Sequence, residues 1–567
     1  MIGKRCNVIR TFSTNNIRKT TELSDSLWQF SPCSGERKGE NIEISVPCCW
    51  ETIPGFESYR GEGIFTKKFH AGGNVRMMFK GVSHTAIVSV DGRMIGEHYN
   101  AYTPFSCVFK GMEEGEHELS VRASNSFSEE SALHVPNDYM SYGGITRGVV
   151  MEMVREEYID WIHVIPKKES GGWNAEVYAK VVNLSDINRK IKLNLVIDGG
   201  FHDSKEVVFD EFGEAVVHVD FHIRDKDVKV WDIINPNLCG IRAELSDEDG
   251  IFDDLNDRFG FREIQISGKN ILLNGRKLRI KGICRHEDHP MFGCALPFAA
   301  MQQDIQMLKD LGANSIRTSH YPNDELFLDL CDEQGILVWE ENHARGLSVE
   351  QMLNPRFESQ AEACIREMIT AHMNHPSIYI WGILNECASD TKYGYQCYKK
   401  QYDLIKELDP SRPRSSASCK FKTDLCFGLP EVVSYNLYPE WYHDTPSREY
   451  VDEIYNWVQQ ESDGSGKPFL VTEIGAGAIY GFRSQTLCKW SEEYQRIALE
   501  HQMKAVLDQE GCSGIYIWQY CDVRISGEWF SSRPRTMNNK GVVDEYRRPK
   551  LAYDKVREIL HSYSDYR

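Results

Sequence analysis

The chain has 567 residues, too many for one hydrophobic core, and its 41% hydrophobic and 26% charged content is that of an ordinary globular protein. Its formal charge of −19, with no basic patch to offset it, argues against nucleic acid or an anionic membrane as a partner. No apolar run is long enough to cross a bilayer, and "MIGKRCNVIRTFSTNN" lacks the apolar core of a secretory signal.

Residues 1–155 carry short alternating runs such as "GIFTKKFH", "VRMMFKGV", "TAIVSVDGRMI" and "HELSVRAS", separated by Gly, Asn and Asp turn signals. This spacing predicts a β-sandwich of the jelly-roll kind. Residues 156–262 hold a second strand-rich block with "WNAEVYAKVVNLS", "KIKLNLVID" and "EAVVHVDFHI". Its length predicts an immunoglobulin-like sandwich. From 263 to 567 strand-like and helix-like segments alternate. "KLRIKGI", "SIRTS", "ILVWEE", "IYIWGILN", "VVSYNLY", "PFLVTE" and "GIYIWQY" read as strands, and a weaker one near 413–418 makes eight. That alternation predicts a parallel (β/α)₈ TIM barrel.

A barrel of this kind gathers catalytic groups at the C-terminal ends of its strands. Here those ends deliver "CRHEDHP", then Arg317 and His320, then Glu340, Glu341 and Arg345. Asn385-Glu386, Tyr438, Glu473 and Trp518 follow at later strands. Two of the glutamates end apolar runs, "IYIWGILNE" and "FLVTE", where a solvated strand end is a poor explanation. Paired carboxylates at one mouth suit glycoside hydrolysis: one, protonated, gives its proton to the leaving oxygen, and the other attacks the anomeric carbon. A separation of about 5–5.5 Å gives retention through a covalent intermediate. Hydrogen bonds and cationic neighbours keep a nucleophile ionised, a task for which Arg317, His320 and Tyr438 are candidates. Barrels host many chemistries, so these residues alone leave others open.

At these residues the sequence resembles glycoside hydrolase family 2, the family of β-galactosidases, β-glucuronidases and β-mannosidases. The matching stretches are "YGGITRGVVMEM", "GFREIQISGKNILLNGRKLRIKGICRHEDHP", "SIRTSHYPNDELFLDLCDEQGILVWEE", "HPSIYIWGILNE" and "FLVTEIGA". The resemblance covers essentially the whole chain, including the order of the three domains. It implies that Glu386 is the general acid/base and Glu473 the nucleophile, with Asn385 on the sugar 2-hydroxyl and Tyr438 positioning the nucleophile. The apolar strand before Glu386 is then expected to hold it rigid and partly dehydrated, and so protonated.

For the sugar, Asn538-x-Lys540 in "RTMNNKGVV" resembles the motif with which β-glucuronidases grip the C6 carboxylate of a uronic acid. An ammonium and an amide donor both lose a partner if C6 is a neutral alcohol. Asp138 from the first domain, His286, Tyr442 and Trp518 resemble further sugar contacts, and Trp441 is either a contact or core. Arg345 departs from the glucuronidase pattern, which carries a small apolar residue there. It either meets the C4 hydroxyl or the carboxylate, which makes β-galacturonide a competitor of β-glucuronide, or it pairs with Glu340 or Glu341. Only 28 residues separate Gly346 from His375, so the long lid of some gut bacterial glucuronidases is missing and an open mouth for oligosaccharides or bulky aglycones is expected.

The implied activity is that of a gut-bacterial type of exo-acting β-hexuronidase. A neutral-sugar β-galactosidase and a non-catalytic carbohydrate-binding protein are the alternatives. No GxGxxG opens a helix after a strand, so no cofactor is expected. "CRHEDHP" matches no zinc spacing, and no metal is expected. The 17 scattered cysteines carry no CxxC, consistent with free thiols in a reducing cytoplasm. Relatives of this kind are often dimers or tetramers, so a homo-oligomer is possible, but no interface is legible.

Overall fold

The structure, a computed structural model, describes residues 15–24, 26–185, 187 and 189–567. Antiparallel strands dominate up to residue 277, and parallel strands with helices follow. The first domain is an eight-stranded antiparallel sheet built on two long strands, Glu62–Phe79 and Phe105–Ser124. Their register breaks between Ala71 and Val75, which lets one sheet fold over a single core of Trp28, Phe30, Phe65, Met77, Val88 and Val121. Alternation along the strands puts these side chains inside.

A three-stranded sheet (Glu157–Glu169, Gly172–Asn183, Glu214–Arg224) and a four-stranded sheet (Phe201–Glu206, Lys192–Ile197, Cys239–Asp247, Gly250–Phe259) form the second sandwich. Their facing side chains, among them Val177, Leu193, Val219 and Leu245, make its core. The strand Glu214–Arg224 alternates buried and exposed over its whole length.

The barrel closes with parallel strands Ile280–Arg285, Ser315–Thr318, Leu337–Glu341, Ile378–Gly382, then 414–418 interrupted at Ser416, Val433–Asn436, Phe469–Ile474 and Cys512–Ile517. The last strand pairs with the first (Ile280 to Gly514), which completes the ring. These strands are buried at almost every residue, as expected where helices cover the outside of a parallel sheet. Local signals place the helices. Asp324 caps Glu325–Gln334 by accepting from the Leu326 amide, and Gly335 ends that helix at φ +68°, pressed against the Ile233 carbonyl where a Cβ has no room.

Three strand ends differ from their sequence reading. The fourth strand stops at Gly382, not Asn385, because Leu384 and Glu386 take φ of +48° and +55° and turn the chain. The sixth stops at Asn436, after a register shift at Tyr435, leaving Tyr438 on the following loop. The eighth stops at Ile517, just short of Trp518.

Candidate active site

The left-handed conformation of Glu386 costs a non-glycine residue on the order of 1–3 kcal/mol, so the backbone around it must be held. The Glu386 amide donates to the Ala417 carbonyl (2.9 Å) and the Asn385 amide to the Ala344 carbonyl (3.1 Å). The Gly346 amide in turn donates to the Asn385 carbonyl (2.8 Å). Asn385 and Glu386 are thereby pinned between the loop after the third strand and the fifth strand.

One guanidinium organises the inner end of the pocket. Arg317, fully buried, donates to Glu341 (Nε to Oε2, 2.8 Å), to Glu473 Oε1 (2.9 Å) and to Asn385 Oδ1 (2.7 Å). Glu341 also accepts from His320 Nδ1 at 2.8 Å. The Tyr438 hydroxyl donates to the other oxygen of Glu473. The Thr472 hydroxyl fixes Asn436 (2.8 Å), whose amide donates to Glu386 Oε1 (2.9 Å) and Asn385 Oδ1 (3.2 Å). The two glutamates therefore hang on one hydrogen-bonded network whose members come from strand ends two, three, four, six and seven.

Glu473 lies deeper than Glu386, with 6% against 21% of the side chain exposed. Glu386 is half-buried, and the turn after Gly382 swings it toward the pocket. Burial pushes Glu473 up to about 7, with the Glu386 charge adding to it and Arg317 and the Tyr438 hydrogen bond opposing. Burial, then the Glu473 charge, holds the Tyr438 hydroxyl well above its usual range, so it stays a donor. Burial, then neighbouring cations, drives His286 and His320 well below theirs, so both are neutral.

The outer end is cationic. Asp138 arrives from the first domain and faces Arg345 Nη2 (3.3 Å), Arg533 Nη2 (3.1 Å) and Asn538 Nδ2 (3.2 Å). Burial alone raises a carboxyl, yet Arg345, Lys540 and Arg533 hold Asp138 well below the usual carboxylate range. Arg345 also donates to Asn137 Oδ1 (3.0 Å) and sits 3.8 Å from Glu386 Oε2. The expected alternative, pairing of Arg345 with Glu340 or Glu341, does not occur: Glu341 is taken by Arg317 and His320, and Glu340 by His372 at 2.8 Å. Lys540 is 2% exposed and, among the described residues, has no carboxylate within 4 Å. Its ammonium lies 5.2 Å from the Tyr442 ring centre and 5.9 Å from those of Tyr438 and Trp441.

The cleft between these ends has a volume of about 330 Å³. Asp138, Arg345, Glu386, Tyr438, Tyr442, Glu473, Trp518 and Lys540 line it. Arg317, His320, Asn385 and Asn538 stand one layer behind, touching residues that do, His320 by stacking on Trp518. His286 packs edge-on against Trp518 and bonds Tyr321. Trp441 is buried against Ala476, Ala498 and Trp490, so it is chiefly core. Sequence reasoning missed Asn436 and Arg533. The first ends an apolar strand run just as Asn385 does, a signal that was available, whereas Arg533 sits on an irregular loop with none.

"CRHEDHP" scatters instead of converging. His286 goes to Tyr321, Glu287 to Arg147 and Asp288 to Tyr142, while His289 Nδ1 accepts the Met291 amide. Among the described residues one group has metal-ligand spacing, Asp329, Asp332 and His375. It lies away from this cleft, and its members are already paired with one another, with Arg258 and with the Ser377 amide.

A barrel with two glutamates on one strand-end network is the architecture of a glycoside hydrolase. Residues 264–563 match the model for "Glycosyl hydrolases family 2, TIM barrel domain" and residues 157–262 that for "Glycosyl hydrolases family 2". The chain belongs to glycosyl hydrolase family 2. The solved structure of a GH2 β-galacturonidase from Eisenbergiella tayi bound to galacturonate superposes with a TM-score of 0.97 at 59% identity, covering 99% of this chain and all of that one. A β-galactosidase from Thermoanaerobacterium thermosulfurigenes is 32% identical over 84% of this chain, which spans 64% of that relative's length. A β-glucuronidase from Streptococcus agalactiae is 27% identical, over 83% of this chain and 84% of its own.

Proposed function

We propose that the chain is a retaining, exo-acting β-hexuronidase that removes terminal β-linked uronic acids, with β-galacturonide as its preferred substrate. The observation that carries this reading is the Lys540 ammonium, almost fully buried beside the two glutamates without a carboxylate of its own. A buried charge is costly unless it is paired, and the C6 carboxylate of a uronic acid supplies the pair. A neutral galactoside leaves Lys540 unpaired, which disfavours the galactosidase alternative.

Glu473 attacks the anomeric carbon while Glu386 protonates the glycosidic oxygen. Water, deprotonated by Glu386, then cleaves the glycosyl-enzyme ester with overall retention. Arg317 and the Tyr438 hydroxyl each hold one oxygen of Glu473, so the attacking carboxylate is aimed before substrate arrives. Asn385 Nδ2 is buried without a partner and is free to donate to the 2-hydroxyl. Asn538 joins Lys540 on the carboxylate. Arg345, fixed by Asn137 and Asp138 at the cleft wall, reads the C4 hydroxyl, and the name of the Eisenbergiella tayi structure supports the galacto configuration there. The sixteen described cysteines are all free, which supports a reducing compartment such as the cytoplasm.

Initial rates on matched nitrophenyl β-galacturonide, β-glucuronide and β-galactoside test this reading. The expected order is galacturonide, then glucuronide, with galactoside far behind. A galactoside that wins removes the carboxylate from the reading and Lys540 with it.

A further inference from the structure

Away from the cleft, the seam between the first domain and the barrel brings two thiols into contact. Cys49, fully buried, precedes the short turn Trp50–Thr52 of the first domain, and Cys294 lies on the loop after the first barrel strand. Their sulfurs are 3.5 Å apart across 245 residues of sequence. Gly293 makes the approach possible: at φ +57°, a Cβ on it falls 2.8 Å from Cys49 Sγ. Met140 and Tyr142 pack on the same cluster, and Tyr142 donates to Asp288 at 2.8 Å. This is the segment that carries Asp138 into the cleft.

We propose that Cys49 and Cys294 form a reversible disulfide that staples the first domain to the barrel when the protein meets a peroxide. Cys294 is partly exposed and is the sulfur a peroxide reaches. Its thiol is oxidised to a sulfenic acid as the peroxide O–O bond breaks and water leaves. The Cys49 sulfur then attacks the Cys294 sulfur, the S–O bond breaks, and the departing hydroxide takes the Cys49 proton as a second water. The sulfurs close from 3.5 Å to about 2.05 Å, within the reach of side-chain rotation and a small loop shift. Burial, which raises the Cys49 thiol well above its usual range, keeps it from reacting with oxidant first. A dithiol reductant reopens the bond. Cys294 hydrogen-bonds Cys49 and not Cys48, the preceding residue.

The test uses the full chain, treated with hydrogen peroxide, quenched, and digested without reductant for mass spectrometry. The expected product is a peptide pair joined through Cys49 and Cys294, lighter by two hydrogen atoms than its separate parts. Tm rises by a few degrees and returns with dithiothreitol. Cys294→Ser abolishes both the joined peptide and the Tm rise, whereas Cys48→Ser keeps both. Exposed Cys488 is the internal control for oxidant. Oxidised Cys488 beside intact Cys49 and Cys294 thiols overturns the proposal. So does a bond that involves Cys48, or a Tm rise that survives Cys294→Ser.

Discussion

The two ends of the cleft differ in how far each is finished without substrate. At the inner end the charged groups already have their partners: Arg317 meets Glu341 and Glu473, and neutral His320 donates to Glu341. At the outer end three cations, Arg345, Arg533 and Lys540, share one carboxylate, Asp138. The inner end is thus preorganised for bond-making, with no reorganisation left for the moment of reaction. The outer end has positive charge in excess of its anions, which on the proposed function a ligand carboxylate completes. On the same reading, chemistry and specificity are carried by separate groups of residues that meet at Arg345, 3.8 Å from Glu386, and at Lys540, 5.9 Å from the Tyr438 ring centre.

The largest effect tests the inner end. Glu473→Ala is expected to lower kcat by at least about 10⁴-fold on every sugar alike, because it removes the attacking atom and not a sugar contact. Nitrophenyl release measures it, and a loss confined to uronides breaks the comparison. Lys540→Ala is next. Losing one partner of a buried charge pair costs about 2–5 kcal/mol, so kcat/KM on a uronide falls roughly 30- to 5,000-fold. Rates on a galactoside stay within a few-fold, and labelling of Glu473 by a fluoro-sugar still proceeds. Equal loss on both sugars places Lys540 in the scaffold instead.

That division was only partly legible in the sequence. The inner carboxylates could be read because an apolar strand that delivers a glutamate has no cheap explanation. The outer end depends on the Asn-x-Lys spacing, which says nothing of Asp138 or Arg533, brought in from residues 400 positions away and from an irregular loop. The barrel was legible because strand-like and helix-like segments alternate from residue 263 on, but the strand ends were not. Leu384 and Glu386 adopt backbone angles no propensity favours, so the fourth strand stops three residues early. Pairing across the fold, such as Glu340 with His372, follows from packing and leaves no local pattern.

Arg345→Leu sharpens the boundary between the two ends. Any loss through its contact with Glu386 applies to every substrate and cancels in a ratio. The ratio of galacturonide to glucuronide kcat/KM is therefore expected to fall about tenfold, the worth of roughly one hydrogen bond to a charged group. An unchanged ratio assigns C4 recognition to another residue.

The smallest expected effect is a shift along the pH axis. As the proposed nucleophile Glu473 must be ionised, and its folded value is raised to about 7, so the acidic limb of kcat/KM falls as pH drops through that value. Part of the rise comes from the negative charge of Glu386. Glu386→Gln removes that charge while keeping the shape, so the acidic limb moves to lower pH. The variant cannot protonate an ordinary leaving group, but a dinitrophenyl uronide leaves without a proton and still reports the attack step. The shift is small, because burial is the largest contribution and remains. A limb that stays in place shows that Glu473 titrates independently of Glu386. A limb that moves upward shows that some cation now free of Glu386, Arg345 above all, has turned away from the cleft.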